Sequence, residues 1–258
     1  MSTNETITMA FGNNQGDKKS ALVIGANGGV GMQLLFALVE KNYKITATYH
    51  NPDDKEKMVA GQPFHLDLAT VTTEELQNEV CKYTVVFFCA GSGGKNVWQV
   101  DRDGAIKVGH AISSCTPNQR PYLVLLSSLG CDQTDLMPES LREYGQAKYE
   151  ADNEIFALQQ NGLRFTIVRP GTLTDNKASG RVIVQDALNK FKSDSLIHKY
   201  KNLNISRDDV AHVMLQAAET FGNHEDGSTS RVIEVIGDEE VNQDKAKEIH
   251  DSLQVLVN

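Results

Sequence analysis

Tyr144 and Lys148 stand four residues apart in a stretch of helical spacing, so both side chains share one face. A tyrosine near its ordinary pKa of about 10 is a poor general base at neutral pH. An ammonium group beside it favours the phenolate, and a second cation in a dry cleft adds to that. Bringing the phenol close to neutrality corresponds to roughly 4 kcal/mol of differential interaction. Ser127 and Ser128 end the apolar run that precedes this helix, where a hydroxyl could polarise a carbonyl beside the tyrosine. The chemistry such a set can perform is proton transfer at an oxygen. A Tyr/Lys pair and strand-end serines also occur by chance. Topology distinguishes these, because Ser128 closes one strand and Tyr144 begins the helix that follows.

The elements that position them alternate along the chain. Continuous apolar strands are predicted near 20–25, 44–49, 62–66, 83–90, 121–127 and 164–169. Helices are predicted near 29–41, 73–80, 96–115 and 140–161. Such crossovers imply a right-handed, doubly wound parallel sheet of the α/β class. Beyond Pro170 the pattern loosens into a strand at 181–185 and a short amphipathic helix near 186–192. A helix near 207–221 and a strand near 231–236 come next. The distal third is expected to add the last strand and a small lid over the cleft. No repeat or long linker appears, so residues 20–258 read as one domain behind a polar tail, 1–19, with substrate-side elements mainly from 171–258.

The first strand, Ala21-Leu22-Val23-Ile24, runs directly into Gly25-Ala26-Asn27-Gly28-Gly29-Val30-Gly31 and then an amphipathic helix. This is the form of a dinucleotide-phosphate cradle: Gly25 for the sharp turn, Gly28 for close backbone approach to pyrophosphate, Gly31 for helix–sheet packing. The helix N-terminus offers free N–H groups to the phosphates, with Asn27, Gly29 and Val30 inside the same loop. In a sheet of this kind ligands bind beyond the carboxyl ends of the strands. After strand two come His50 and Asn51, with no acid before Asp53 to hold a ribose 2′-hydroxyl. His50, Asn51, Lys55 and Lys57 would instead help a 2′-phosphate, which favours NADP and leaves NAD possible. Asp67 after strand three could accept from an adenine amino group or cap the next turn. After strand four, Ala90, Gly91 and Ser92 offer backbone near the ribose and pyrophosphate.

Composition narrows the classes. A formal charge of −9 over 258 residues, without any basic block, argues against a nucleic-acid surface. The longest apolar runs are strand length, too short to span a bilayer. Cys81, Cys89, Cys115 and Cys131 form no CxxC pair and have no histidine at metal-ligand spacing, so no metal site is expected. Reduced thiols and a cytoplasmic location are the default, with Cys89 a small buried residue at a strand end.

Together, GANGGVG (25–31), AGSGGK (90–95), VDRDGAIK (100–107), LLSSLG (125–130), YGQAK (144–148), VRPGTLTD (168–175) and NISRDDVA (204–211) carry a resemblance. The chain resembles the short-chain dehydrogenase/reductase superfamily, most closely its atypical NmrA-like and epimerase-like members, over nearly all of 20–237. The resemblance implies a Rossmann-type fold, Tyr144 as acid/base, Lys148 as its activator and ribose ligand, and Ser128 as the carbonyl-orienting hydroxyl. It implies that the Arg169-Pro170-Gly171 bend contacts the nicotinamide carboxamide. Where the family's active-site tetrad usually has asparagine, this chain has Asp101. An ionised Asp101 near Lys148 would offset the field that depresses the tyrosine pKa, or would stiffen the proton relay.

Two functions of different class follow. One is an NADP(H)-dependent oxidoreductase or epimerase-like enzyme acting on a small carbonyl or alcohol. The other is a dinucleotide-sensing regulator acting through a protein partner, which would not need the Tyr–Lys pair. Substrate contacts are expected from 175–205 and from Ile205, Ser206 and Arg207. A monomer or homodimer fits either function.

Overall fold

The computed structural model describes residues 19–188, 194–222, 230–238 and 246–257. Strands β1 (Ser20–Ile24), β2 (Lys44–Tyr49), β3 (Gln62–His65), β4 (Val85–Phe88), β5 (Tyr122–Leu126) and β6 (Phe165–Pro170) alternate with helices. The helices are α1 (Gly29–Glu40), α2 (Thr73–Val80), α3 (Ala105–Ser113) and α4 (Glu139–Ala157). Then come β7 (Thr172–Thr174), β8 (Arg181–Asp186), α5 (Leu196–Lys199), β9 (Asn204–Ser206), α6 (Arg207–Phe221), β10 (Arg231–Gly237), β11 (Lys247–Glu248) and α7 (Ile249–Gln254).

The main sheet runs β11-β8-β10-β6-β5-β4-β1-β2-β3, with β7 and β9 forming a separate two-stranded parallel pair. From β10 to β3 every pairing is parallel, while β8 is antiparallel to both β10 and β11. Helices cover both faces: α1 and α6 pack into one apolar core, and α2, α3 and α4 into the other. That two-sided burial is why β4 and β6 are buried at every residue, β4 as an unbroken apolar run and β6 with Thr166 and Arg169 inside it. The strand order reverses between β1 and β4. Doubly wound sheets open a ligand crevice at such a switch point, beyond the strand ends.

Three expectations change. The 96–115 helix is α3 preceded by a π-helical segment, Val97–Gly104, a local overwidening that recurs at functional sites. Residue 186 belongs to strand β8, and most of the short helix expected at 186–192 falls outside the described residues, as does the tail up to residue 18. Cys81 and Cys115 are joined in a disulfide instead of being free thiols. Cys81 caps α2 and Cys115 lies just past α3; the two helices lie side by side, so their C-termini meet although 34 residues separate them. Cys89 and Cys131 are free and buried. Among the described residues no helix is long and apolar enough to cross a membrane, and no cluster of metal-binding side chains occurs.

Candidate active site

The cradle begins where β1 ends. Gly25 has φ +83°, and a Cβ there would lie 2.5 Å from the Ala90 backbone nitrogen, so the β1 and β4 ends meet where only glycine fits. A Cβ on Gly31 would run into the Gly25 carbonyl oxygen. Gly28 closes the turn by donating its N–H to the Gly25 carbonyl, 3.1 Å away. Val30 is buried in the core beneath. Helix α1 has no side-chain cap and no acid in its first turn, so its leading N–H groups stay available to an anion. These features fit a dinucleotide pyrophosphate held by Gly25, Gly28 and Gly31.

At the β2 end the polar residues engage one another. Asn51 caps the following 3₁₀ turn by accepting from the Asp53 N–H at 3.1 Å, so its side chain is already engaged. Asn27 donates to Asp54 Oδ2 at 2.8 Å, and Lys57 pairs with the other oxygen at 2.6 Å. His50 is exposed, with Nδ1 3.7 Å from Asp67 Oδ1. Asp67 Oδ1 also accepts from the Ala69 N–H at 2.9 Å, so it adopts the turn-capping alternative. That backbone bond is the main reason its carboxyl is held below the usual range.

Across the crevice, Lys148 on α4 is buried and donates to the Leu126 carbonyl at the end of β5, 2.9 Å away. Its Nζ lies 3.5 Å from Asp101 Oδ1 and 5.7 Å from the centre of the Tyr144 ring. Asp101, 1% exposed, comes from the π-helical segment and accepts at Oδ2 from the Ser92 N–H (3.0 Å) and hydroxyl (2.7 Å). It thereby ties the Ala90–Ser92 loop to the lysine. Asp101 therefore faces the ammonium and also braces the loop beside it.

The phenol, however, departs from the sequence expectation. Burial raises the Tyr144 pKa above its ordinary value; Lys148 pulls it down, and the Asp101 carboxylate pushes it further up. Burial alone would lower the Lys148 pKa, but the negative charges that can face it, the Tyr144 phenolate when formed and the Asp101 and Asp152 carboxylates, outweigh it, and the ammonium is held more firmly than usual. The protein by itself therefore keeps a protonated phenol beside a charged lysine.

Ser127 and Ser128 separate cleanly. The buried Ser127 hydroxyl donates to Asp152 Oδ2 at 2.9 Å, while Ser128, one residue later, is half-buried. Asp152 belongs to a buried network that sequence reading missed: Arg169 Nε is 2.8 Å from Asp152 Oδ2, Arg169 Nη1 is 3.3 Å from Asp132, and the Cys131 thiol lies 3.5 Å from Asp152. The 169–171 bend is held by this network and by the sheet. Arg169 is only 7% exposed and is turned to α4. The Pro170 carbonyl accepts from Leu129 and the Gly171 N–H donates to Val235, so that backbone is bonded into the sheet. The available signals were Asp152 one turn after Lys148 on the same helix face, and an arginine inside a mostly apolar strand.

A model of a family described as NAD(P)H-binding matches residues 25–220, from the first cradle glycine to the end of α6. The chain belongs to that family. Within the NAD(P)H-binding family it fits the atypical, NmrA-like and epimerase-type group that resembles the short-chain dehydrogenase/reductases. It is 29% identical to the Uncharacterized sugar epimerase YhfK of Bacillus subtilis over 204 residues, 76% of this chain and 86% of that one. It is equally 29% identical to the UPF0659 protein YMR090W of Saccharomyces cerevisiae over 205 residues, covering 76% and 85%. The oxidoreductase ylbE from Lactococcus lactis has the same fold, with a TM-score of 0.70 at 24% identity over 92% of this chain and 96% of that one. The family carries a nicotinamide dinucleotide on an oxidoreductase- or epimerase-like Rossmann fold.

Proposed function

We propose that the protein reduces a small carbonyl compound with NADPH, Tyr144 delivering the proton to the carbonyl oxygen. When bound, the nicotinamide supplies the hydride. Ser128 would orient the carbonyl, and Lys148 would hold the ribose while its charge stabilises the phenolate left behind. One observation carries the reading. The Tyr144 ring centre lies 5.7 Å from the buried Lys148 ammonium, which Asp101 ties to the loop at the β4 end beside the glycine cradle. A cation held there can stabilise the phenolate that proton donation leaves, which a sensor does not need.

The preference for the 2′-phosphate is supported by the β2 end. Exposed His50 and Lys55 flank the position, and the carboxylate nearest the cradle, Asp54, is already held by Lys57 and Asn27. The name of the Bacillus subtilis relative supports a second reading, sugar epimerisation, in which the same phenol would first act as base.

Replacing Tyr144 with Phe tests the proposal. General acid catalysis contributes about 10²- to 10⁴-fold, so turnover with a carbonyl panel and NADPH is expected to fall by that factor with cofactor affinity unchanged. Full activity in the Phe variant would refute the proton-donor role. A wild type that binds the cofactor, turns over no substrate and changes a partner's behaviour would favour the sensor.

A further inference from the structure

We propose that Arg207 is a phosphate-clamping residue of the dinucleotide site, its guanidinium exchanging Asp175 for the pyrophosphate when the cofactor enters. This assignment rests on the dinucleotide reading of the glycine loop. It moves Arg207 from the substrate side, where sequence alone placed it, to the cofactor.

The position of Arg207 is fixed by its neighbours. Ser206 caps α6 by accepting from the Asp209 N–H at 2.9 Å, and Asp209 in turn accepts from the Ser206 hydroxyl and the amides of Ser179 and Gly180. Arg207, the first residue of α6, cannot drift at its backbone. Helices α1 and α6 share one core, so the N-terminus of α6 stands beside that of α1. From there the Arg207 side chain lies across Gly29, the first residue of α1. A Cβ on Gly29 would come within 2.6 Å of Arg207 Cδ and 2.8 Å of Nε. Gly29 thus admits the arginine stem against the turn whose N–H groups face the phosphates. Any larger residue would push it away.

The present partner of the guanidinium is weakly held. Nη1 lies 2.6 Å from Asp175 Oδ1, but the aspartate side chain is 90% exposed and the arginine 30%. An ion pair that open to water contributes little and exchanges readily. A pyrophosphate offers a guanidinium two charged oxygens in its own plane, the geometry arginine matches best. The cradle otherwise supplies backbone dipoles alone, and the chain's formal charge is −9. A local cation at this rim would therefore offset a repulsive field just where a polyanion docks. The acid next to Arg207 on α6, Asp208, is turned to His212 at 3.2 Å.

Fluorescence titration with NADPH, and separately NADH, decides the matter for wild type, Arg207→Ala, Arg207→Lys and Asp175→Asn, each melted without cofactor as a control for folding. Arg207→Ala is expected to weaken both coenzymes about ten- to a hundredfold, the range of a charge-assisted hydrogen bond, with Arg207→Lys recovering part of that. Asp175→Asn, by freeing the guanidinium, is expected to tighten both about two- to threefold. Unchanged affinity in Arg207→Ala would overturn the proposal, as would an Asp175→Asn variant that melts earlier yet binds as wild type, which marks a structural strut. If Arg207→Ala does not fold, the Lys and Asn variants decide on the same terms. A wild type with no affinity for either coenzyme would remove the dinucleotide reading itself, a result distinct from any variant effect.

Discussion

On the β1 side of the cleft the binding surface is backbone: glycines at 25, 28 and 31, open amide groups at the start of α1, and side chains that mostly satisfy one another. On the β5–β6 side it is buried charge: Lys148 against Asp101, and Arg169 against Asp152 and Asp132. The first surface offers backbone dipoles, which do not titrate. The second sets protonation, and each of its charges is tolerated underground because another stands beside it. The two meet at Asp101, which bonds the Ser92 loop of the first and faces the lysine of the second. Binding and proton handling are therefore separable by mutation, except there.

The largest effect should come from breaking the charged side. Arg169→Ala leaves buried Asp152 and partly buried Asp132 without their shared cation. Removing one partner of a buried pair costs about 3–5 kcal/mol, which urea unfolding would register as a lowered midpoint. A loss below about 1 kcal/mol would mean the network is wetter than its geometry implies.

On the backbone side, Gly25→Ala should be milder in stability and harsher in binding. The left-handed φ costs roughly 1–2 kcal/mol for a residue with a Cβ, and that Cβ must displace Ala90. Coenzyme affinity should drop at least about tenfold by titration, while the pH dependence of any residual turnover stays as in wild type. A shifted pH profile in this variant would erase the distinction between the two surfaces.

At the point where they meet, Asp101→Asn tests the sign of an electrostatic effect. The Asp101 carboxylate raises the Tyr144 pKa, so its neutralisation lets the phenol ionise at lower pH. Carbonyl reduction needs the protonated phenol, hence activity present below its pKa and lost above it. The alkaline limb of the rate profile should move to lower pH. An upward move would show that Asp101 acts chiefly by holding the Lys148 charge in place beside the phenol.

The backbone surface was readable from sequence, and the charged one only in part. A glycine that must adopt φ +83° against another strand leaves a one-letter trace, and the spacing of Gly25, Gly28 and Gly31 gives the strand–turn–helix context. Lys148 and Tyr144 were found because their helix spacing is local. Arg169, Asp152 and Asp132 were not, since their partnership depends on how α4 settles against β6, and Arg169 was instead assigned to the coenzyme. The disulfide escaped for a similar reason: nothing in the spacing of Cys81 and Cys115 records that α2 and α3 end side by side. The Tyr144 pKa was expected to fall because the lysine is visible in the sequence, while burial and the Asp101 field are properties of the packed protein.

The smallest effect should distinguish the adjacent serines. Ser127→Ala removes one hydrogen bond to Asp152, but Arg169 and the Cys131 thiol still face that carboxylate, so about 1 kcal/mol of stability is at stake. Turnover and its pH dependence should be retained, because the Ser127 hydroxyl points into the network and away from substrate. Ser128→Ala should do the reverse, sparing the unfolding midpoint and slowing carbonyl reduction. If Ser127→Ala slows the reaction as much as Ser128→Ala, the buried network is part of the proton path, and the charged side of the cleft does more than hold α4 in place.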